Sequence, residues 1–235
     1  MVFDVVTLFP GLFTGGLQES ILGRARRAGK VAVRLHDLRR WGIGSHRQVD
    51  DTPYGGGGGM ILRPEPFFEA VDWVRSEYPA ARERVVLLSP QGSRLTHDSA
   101  RRLAGFERLI LLCGRYEGVD ERVREGLADE ELSIGDMVLT GGELPAMVAI
   151  DAVSRFIPGV LGRKEAAEED SFAQGQLDSP YYTRPPVFRG RAVPEVLLSG
   201  DHQAISRWRE DMAQEATRTK RPDLLLGRDG HLGRC

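Results

Sequence analysis

The sequence predicts an α/β protein: a parallel sheet covered by helices on both faces, followed by a small, mostly helical C-terminal domain. Three observations predict it. Strand-like runs alternate with helix-like segments through the first two thirds of the chain. Each strand-like run is almost continuously apolar, as in strands buried on both faces, rather than alternating apolar and polar. After Pro158 the pattern stops, and a polar stretch rich in Gly and Pro leads to a last helical segment.

The elements follow in order. "VFDVVTLF" at the N-terminus is β-rich, and "ESILGRARRAGKVAVRLHDL" reads as a helix and then a second strand. "RPEPFFEAVDWVRSEY" opens with prolines, which suit a first helical turn, and continues with helical apolar spacing. "RVVLLSP" is a strand, "THDSARRLA" a helix and "RLILLCGRYEG" a strand running into a glycine turn. "VDERVREGL" is a helix, "ELSIGDMVLTGG" a short strand with turns, and "ELPAMVAIDAVSRFI" a long apolar helix. "GVLGRKEAAEEDSFAQGQLDSPYYTRPP" lacks apolar periodicity, and a stretch of that length is usually functional or flexible. "HQAISRWREDMAQEATRTKRPDLL" is helical with basic positions. These segments place a domain over residues 1–160, a flexible linker over 161–176 and a small helical domain over 177–235.

Composition limits the function classes. With 41% hydrophobic and 28% charged residues the chain is ordinary for a globular protein. Apolar runs such as "LILLC" fall far short of the roughly 20 residues that cross a bilayer, so no membrane association is expected. Asp4 interrupts the apolar N-terminus and no basic segment precedes it, so it reads as a strand, not a signal peptide. Cys113 lies in an apolar run and Cys235 at the last position, which leaves no disulfide framework; a cytoplasmic protein is expected. The net charge of −2 conceals segregation. Between Arg24 and Arg47 the basic residues dominate, with His36 and His46 added, whereas acids dominate from Glu117 to Asp136. The basic stretch is either a solvated face or a phosphate-backbone footprint.

Glycine-rich segments decide which phosphate chemistry fits. "PYGGGGGM" is followed by Ile61 and Leu62, not by the Lys and Ser/Thr of a Walker loop. "FPGLFTGG" lacks the spacing of a dinucleotide fingerprint. "CGRYEG" and "LTGGELP" each follow an apolar strand, with "SIGD" between them. Loops of this kind at the carboxyl ends of strands let backbone groups approach a small flat ligand, although each taken alone is also an ordinary tight turn.

Taken together, "LLCGRYEGVDERV", "SIGDMVLTGGELPAM", "RFIPGVLG", "EDSF", "YYTRPPVFRG", "VPEVLLSGDH" and "RPDLL" closely resemble the bacterial tRNA (guanine-N1)-methyltransferases of the TrmD type. "VTLFP" and "HRQVDDTPYGGGGGM" fit the same pattern, so the resemblance spans almost the whole chain. It implies a SPOUT-class α/β fold with a trefoil knot in its C-terminal half. It further implies a homodimer with the active site at the subunit interface, S-adenosylmethionine as methyl donor, tRNA as partner through its anticodon stem-loop, and a transfer step associated with Mg²⁺. The target implied is N1 of the guanine immediately 3′ of the anticodon.

Carried over residue by residue, Gly114 and Tyr116 match the family's first donor-binding loop. Ile134, Gly135, Asp136, Met137, Val138 and Leu139 match the second; Gly141, Gly142 and Pro145 complete the knot loop and the helix start, with Gly141 and Pro145 counted among the donor-binding positions. Asp170 in "EEDSF" matches the general base that removes the N1 proton; its acidic neighbourhood read without the family is a solvated linker. Arg155 matches the cation facing charge that develops on guanine O6; read alone it is a helix C-terminal arginine meeting the dipole. His46, Arg47 and Asp50 are RNA contacts in this reading, and "PYGGGGGM" is a bare-backbone wall near the active site. The sequence carries no metal-ligand spacing of its own. Met137, Ser179, Tyr181 and Asp201 depart from the family's frequent Tyr, Cys, His and Asn. Two rival readings remain: a non-catalytic RNA-binding protein on the same scaffold, and a SPOUT methyltransferase with another RNA target. The intact "EEDSF" and "SRFIPGVLG" argue against the first, and a base-nitrogen carboxylate fits poorly with a ribose-oxygen target.

Overall fold

The computed structural model describes residues 1–162, 167 and 170–225. The chain divides into two compact units, 1–164 and 165–235.

The first unit is a three-layer sandwich. Its five parallel strands are β1 (Val2–Thr7), β2 (Ala32–Asp37), β5 (Glu83–Arg94), β6 (Arg108–Cys113) and β7 (Glu130–Ser133), in the spatial order β2-β1-β6-β5-β7. Two-residue strands β3 (Asp50–Asp51) and β4 (Ile61–Leu62) form a separate antiparallel pair. The central strand β6 is buried along its whole length. Leu109, Leu111 and Cys113 join the core beneath helices α1 (Ser20–Arg27), α3 (His97–Leu103) and α5 (Glu143–Ser154). Ile110 and Leu112, with the opposite side-chain direction, join the core beneath α2 (Pro64–Glu77) and α4 (Glu121–Gly126). This two-sided burial is the physical reason why the strands read as continuous apolar runs.

Local chemistry sets the helix starts. Pro64 opens α2, and Thr96 and Ser99 close a capping box on α3. Asp120 accepts the Arg122 amide at the start of α4. Strand β5 runs further than the sequence predicts. It continues past Pro90 to Arg94, and its pairing with β7 shifts register between Leu88 and Ser93. Gly92 permits that shift, because a Cβ there would lie 2.4 Å from backbone atoms of Glu131 and Leu132.

Within the basic stretch, several cations serve the fold. Arg34 makes a bidentate pair with the buried Asp4 at 2.7 Å, and His36 Nε2 meets the same carboxylate. Arg26 and Arg27 donate to the carbonyls of Leu17 and Gln18, and Arg39 donates to the Leu8 carbonyl. The segment is therefore neither one solvated face nor one uninterrupted phosphate footprint.

The second unit carries α6 (His202–Lys220), a 19-residue helix capped by Asp201, which accepts the amides of Gln203 and Ala204 at 3.0 Å. It also holds a hairpin that the sequence reading does not include, β8 (Val187–Phe188) with β9 (Arg191–Ala192). Arg189 and Gly190 both have positive φ, as a type I′ turn requires. Runs of two residues are too short to leave a periodic signal. Of the predicted 161–176 linker, residues 163–166, 168 and 169 lie outside the described residues. Residues 170–176 form a turn closed by Phe172 N–H to Gln176 O at 2.7 Å. Leu177 N–H donates to Thr217 Oγ1, which anchors this turn to α6.

Candidate functional site

At the carboxyl ends of β5, β6 and β7 the first unit opens a cleft of about 250 Å³. Leu87 to Gln91 line it from β5, Gly114 to Val119 from the loop after β6, and Leu132 to Gly135 and Met137 to Gly142 from the end of β7 and the loop to α5, with Pro145 in the first turn of α5. Strand ends of an open parallel sheet are where small ligands bind. All the positions assigned to the donor by resemblance line this cleft except Asp136. That carboxylate is exposed and pairs with Arg94 at 3.1 Å.

The walls are held by close backbone approach. The Gly142 amide donates to the Gly114 carbonyl at 2.9 Å, and Arg115 bridges Gly141 in antiparallel fashion. A Cβ at Gly142 would lie 2.8 Å from Cys113 Cα; one at Gly141 would meet Arg115 Nε and Glu143 Oε2 at 2.4 and 2.5 Å. Backbone atoms therefore demand glycine at 142, whereas a Cβ at 141 would displace the paired side chains of Arg115 and Glu143. Below them Glu143 is only 1% exposed. Its carboxylate accepts from Thr7 Oγ1 at 2.8 Å and from Arg115 Nε at 3.1 Å, joining the ends of β1 and β6 to the start of α5. Cys113 lies behind the same wall, where burial first, then the Glu143 charge, pushes its thiol well above the ordinary range.

Tyr116 stands at the mouth with φ +61°, half exposed. Partial burial first, then the charge and hydrogen bond of Asp50, raise its hydroxyl above the ordinary range, so it stays protonated at neutral pH. Asp50, expected as an RNA contact, is thus brought beside a cleft residue. His46 and Arg47 are exposed on the turn that precedes it, Arg47 at φ +50°.

The glycine run borders the cleft through one residue. A Cβ at Gly59 would lie 2.5 Å from Glu117 Cγ, and the Glu117 amide donates to the Met60 carbonyl at 3.1 Å. Gly55, Gly56 and Gly57 have positive φ with no atom within 4 Å of a built Cβ. At these three the backbone conformation, not crowding within the chain, demands glycine.

Arg155 and Asp170 are not brought to the cleft within the first unit. Arg155 is the half-buried C-cap of α5, and that helix starts at the cleft. Ten residues of helix separate it from Pro145, the cleft's last lining residue, by about 15 Å, more than an arginine side chain spans. Asp170 is exposed in the second unit, where its charge helps to raise the Tyr181 hydroxyl, after the hydrogen bond to Asp178 and partial burial. Leu87 to Gln91 were missed by sequence reasoning; "SPQG" directly after an apolar strand is the signal that could have found them. Among the described residues no group of three or more His, Cys, Asp and Glu is placed to hold a metal ion.

Comparison with known proteins decides the family. The profile of the family "tRNA (Guanine-1)-methyltransferase TrmD" matches residues 1–227. The chain belongs to this family. It is 59% identical to the tRNA (guanine-N(1)-)-methyltransferase of Geobacter sulfurreducens over 96% of this chain and 91% of that protein. It is 56% identical to the protein of the same name from Moorella thermoacetica, over 96% and 90% of the two chains. The Heliobacterium modesticaldum protein, again of that name, is 52% identical over 97% and 86%. Of the positions expected to depart from the family's pattern, Asp201 caps α6, a role that asparagine fills equally well. Ser179 is buried, so a small side chain suits it. Tyr181 instead hydrogen-bonds Asp178.

Proposed function

We propose that this enzyme transfers the methyl group of S-adenosylmethionine to N1 of the guanine immediately 3′ of a tRNA anticodon, as a homodimer whose active site lies between subunits. Family membership supports the reaction class, and the single observation that carries the site is the cleft at the ends of β5, β6 and β7. Its chemistry suits the donor. Leu87, Leu88, Ile134 and Leu139 supply apolar surface for a flat adenine, and the glycine loops bring backbone N–H and C=O groups to its edge. When bound, S-adenosylmethionine supplies a methyl carbon that passes to guanine N1 as its bond to sulfur breaks and a neutral thioether leaves.

The chain's own residues manage the proton and the charge. Asp170 accepts the N1 proton, which frees the nitrogen lone pair for the methyl carbon. Arg155 faces the negative charge that develops on O6, where a fixed, always-protonated guanidinium is effective. The cleft loops hold donor and base in line. Mg²⁺ has no assigned residue in this scheme, because no described cluster fits it.

Geometry as well as resemblance supports the dimer. Arg155 is out of reach of its own chain's cleft, so the reading has it, with Asp170, serve the cleft of the partner. Leu144 and Val148, one turn apart on α5, are 53% and 45% exposed, and Leu12 is 50% exposed, an apolar surface suited to a second copy. The trefoil knot implied by resemblance belongs to the same proposal, in the stretch that stitches Gly114 to Gly142.

The test is methyl transfer from labelled S-adenosylmethionine to a tRNA transcript with guanine 3′ of its anticodon, against a matched transcript with adenine there. 1-Methylguanosine in the first alone is expected, and Asp170→Asn abolishes it while donor binding persists. Bound donor without product on either transcript means another RNA target. No donor binding leaves only the RNA-binding reading.

A further inference from the structure

We propose that Arg115 is an anion receptor at the mouth of the cleft, positioned by Glu143 and Phe9, with its two terminal nitrogens presented to a carboxylate or phosphate of a bound reactant. The inference rests on the methyl-transfer reading and deepens it.

Three observations carry it. First, the guanidinium is fixed from two sides. Nε donates to the buried Glu143 at 3.1 Å, and the guanidinium carbon lies 4.4 Å from the centre of the Phe9 ring. Glu143 is itself held by Thr7 Oγ1, which also accepts the Phe9 amide at 2.9 Å, so the clamp and the stacking ring share one anchor. Second, the fork is unfinished. Only Nε of Arg115 has an acceptor among the described residues, and the side chain keeps 18% exposure. An arginine fork presents its donors in a plane that matches two oxygens of one oxyanion. Third, a second cation shares the same ring, in a cleft that Glu117, Glu121 and Glu131 also line. Arg39 also stacks against Phe9, at 5.4 Å, and both Arg39 and Arg115 act on the Tyr116 hydroxyl at the mouth.

Two reactants bring a suitable anion: the donor through its amino-acid carboxylate, and the RNA through a phosphate next to the target base. The chemistry of recognition is shared, and the experiment separates the sources. In the full-length protein, Arg115→Gln is measured for donor affinity by calorimetry without RNA, and for tRNA KM and its salt dependence at saturating donor. A tenfold or larger loss of donor affinity, with tRNA KM unchanged, assigns the carboxylate. A tenfold or larger rise in tRNA KM, with donor affinity unchanged and a log–log salt slope smaller by about one, assigns the phosphate. Unchanged constants for both reactants in a folded Arg115→Gln protein overturn the proposal.

Glu143→Gln acts as the positioning variant. It is expected to weaken the same reactant as Arg115→Gln, whereas a purely structural carboxylate lowers the melting temperature and spares both constants. If single variants melt early, the pair Arg115→Met with Glu143→Gln removes the unpaired buried charge. A folded double variant with normal constants for donor and tRNA likewise overturns the proposal, and a tenfold loss sustains it. Arg75→Gln, remote from the cleft, is the control. Absence of methyl product from the unaltered protein is a different failure, that of the methyl-transfer reading itself.

Discussion

Gly142→Ala isolates the close approach that builds the cleft. The backbone at Gly142 is ordinary, φ −78° and ψ −5°, so alanine brings no conformational strain. The cost is overlap alone. The new methyl would lie 2.8 Å from Cys113 Cα, 3.1 Å from the Gly114 nitrogen and 3.2 Å from Cys113 Cβ. Two of those atoms are backbone of a fully buried strand end and its loop, so no side chain can rotate away. Overpacking of this kind costs about 1–3 kcal/mol. For a chain of this size that lowers the melting temperature by about 2–12 °C. The displaced backbone is the cleft wall, and the Gly142–Gly114 hydrogen bond spans it, so in the methyl-transfer reading donor affinity falls in parallel. Gly58→Ala is the matched control: a Cβ there meets nothing within 4 Å and its φ is not left-handed, so stability should change by no more than about 1 kcal/mol, in the favourable direction. Differential scanning calorimetry and donor titration on both variants decide the matter. A Gly142→Ala protein that melts with the unaltered one and binds donor normally refutes the steric reasoning.

Three further outcomes follow from the same geometry. Asp201→Ala removes the cap of α6 and should cost about 1 kcal/mol in chemical denaturation, whereas Asp201→Asn should be nearly neutral. Burial alone would raise the Glu83 carboxyl, but hydrogen bonds from Arg108 and Arg75 outweigh it and hold the group below the ordinary carboxylate range. Its folded value is depressed, so the stability it contributes is present above the unfolded carboxylate value and is lost as pH falls through the folded one. Glu83→Gln should therefore flatten the acid limb of the stability curve and destabilise at neutral pH. Removing one partner of a buried pair costs about 3–5 kcal/mol, reduced here because Glu83 is partly exposed and Arg108 keeps the Val74 and Tyr78 carbonyls. In the dimer reading, Leu144→Glu combined with Val148→Glu yields monomers in sedimentation and abolishes methyl transfer, while far-UV circular dichroism shows the variant still folded.

Much of the first unit was legible because its signals are local. Leu109 to Cys113 is apolar at every step, and only a strand covered on both faces uses such a run. Pro64 and Thr96 announce helix starts by the backbone groups they lack or satisfy. What was not legible depends on neighbours distant in sequence. The extension of β5 through Pro90 to Arg94 depends on Gly92 lying against Glu131 and Leu132, some forty residues further along the chain. The hairpin at Arg189–Gly190 depends on two positive φ values and on strands too short for periodicity. Glu143 and Arg115 read as unremarkable charges within glycine-rich motifs, and only the fold makes them a buried pair. Asp170 and Arg155 were reached by resemblance, since nothing in their own segments separates a catalytic group from a linker acid or a helix-terminal cation.

The glycines illustrate why composition alone misassigns such sites. Glycine at 142 is demanded by backbone atoms of the same chain, and at 141 by the paired side chains of Arg115 and Glu143. At Gly59 both demands act together, a positive φ and the Glu117 side chain. At Gly55 to Gly57 only the backbone conformation is specified, and the space in front of it is open in the folded chain. A run of five identical residues thus contains at least two physical roles. Gly59 alone meets a cleft residue, Glu117. The outer half, with the fully exposed Tyr54 beside it, presents bare backbone to solvent, open to another molecule. In the methyl-transfer reading that molecule is the RNA. The open glycines then matter to tRNA KM far more than to stability, the reverse of the order set by Gly142.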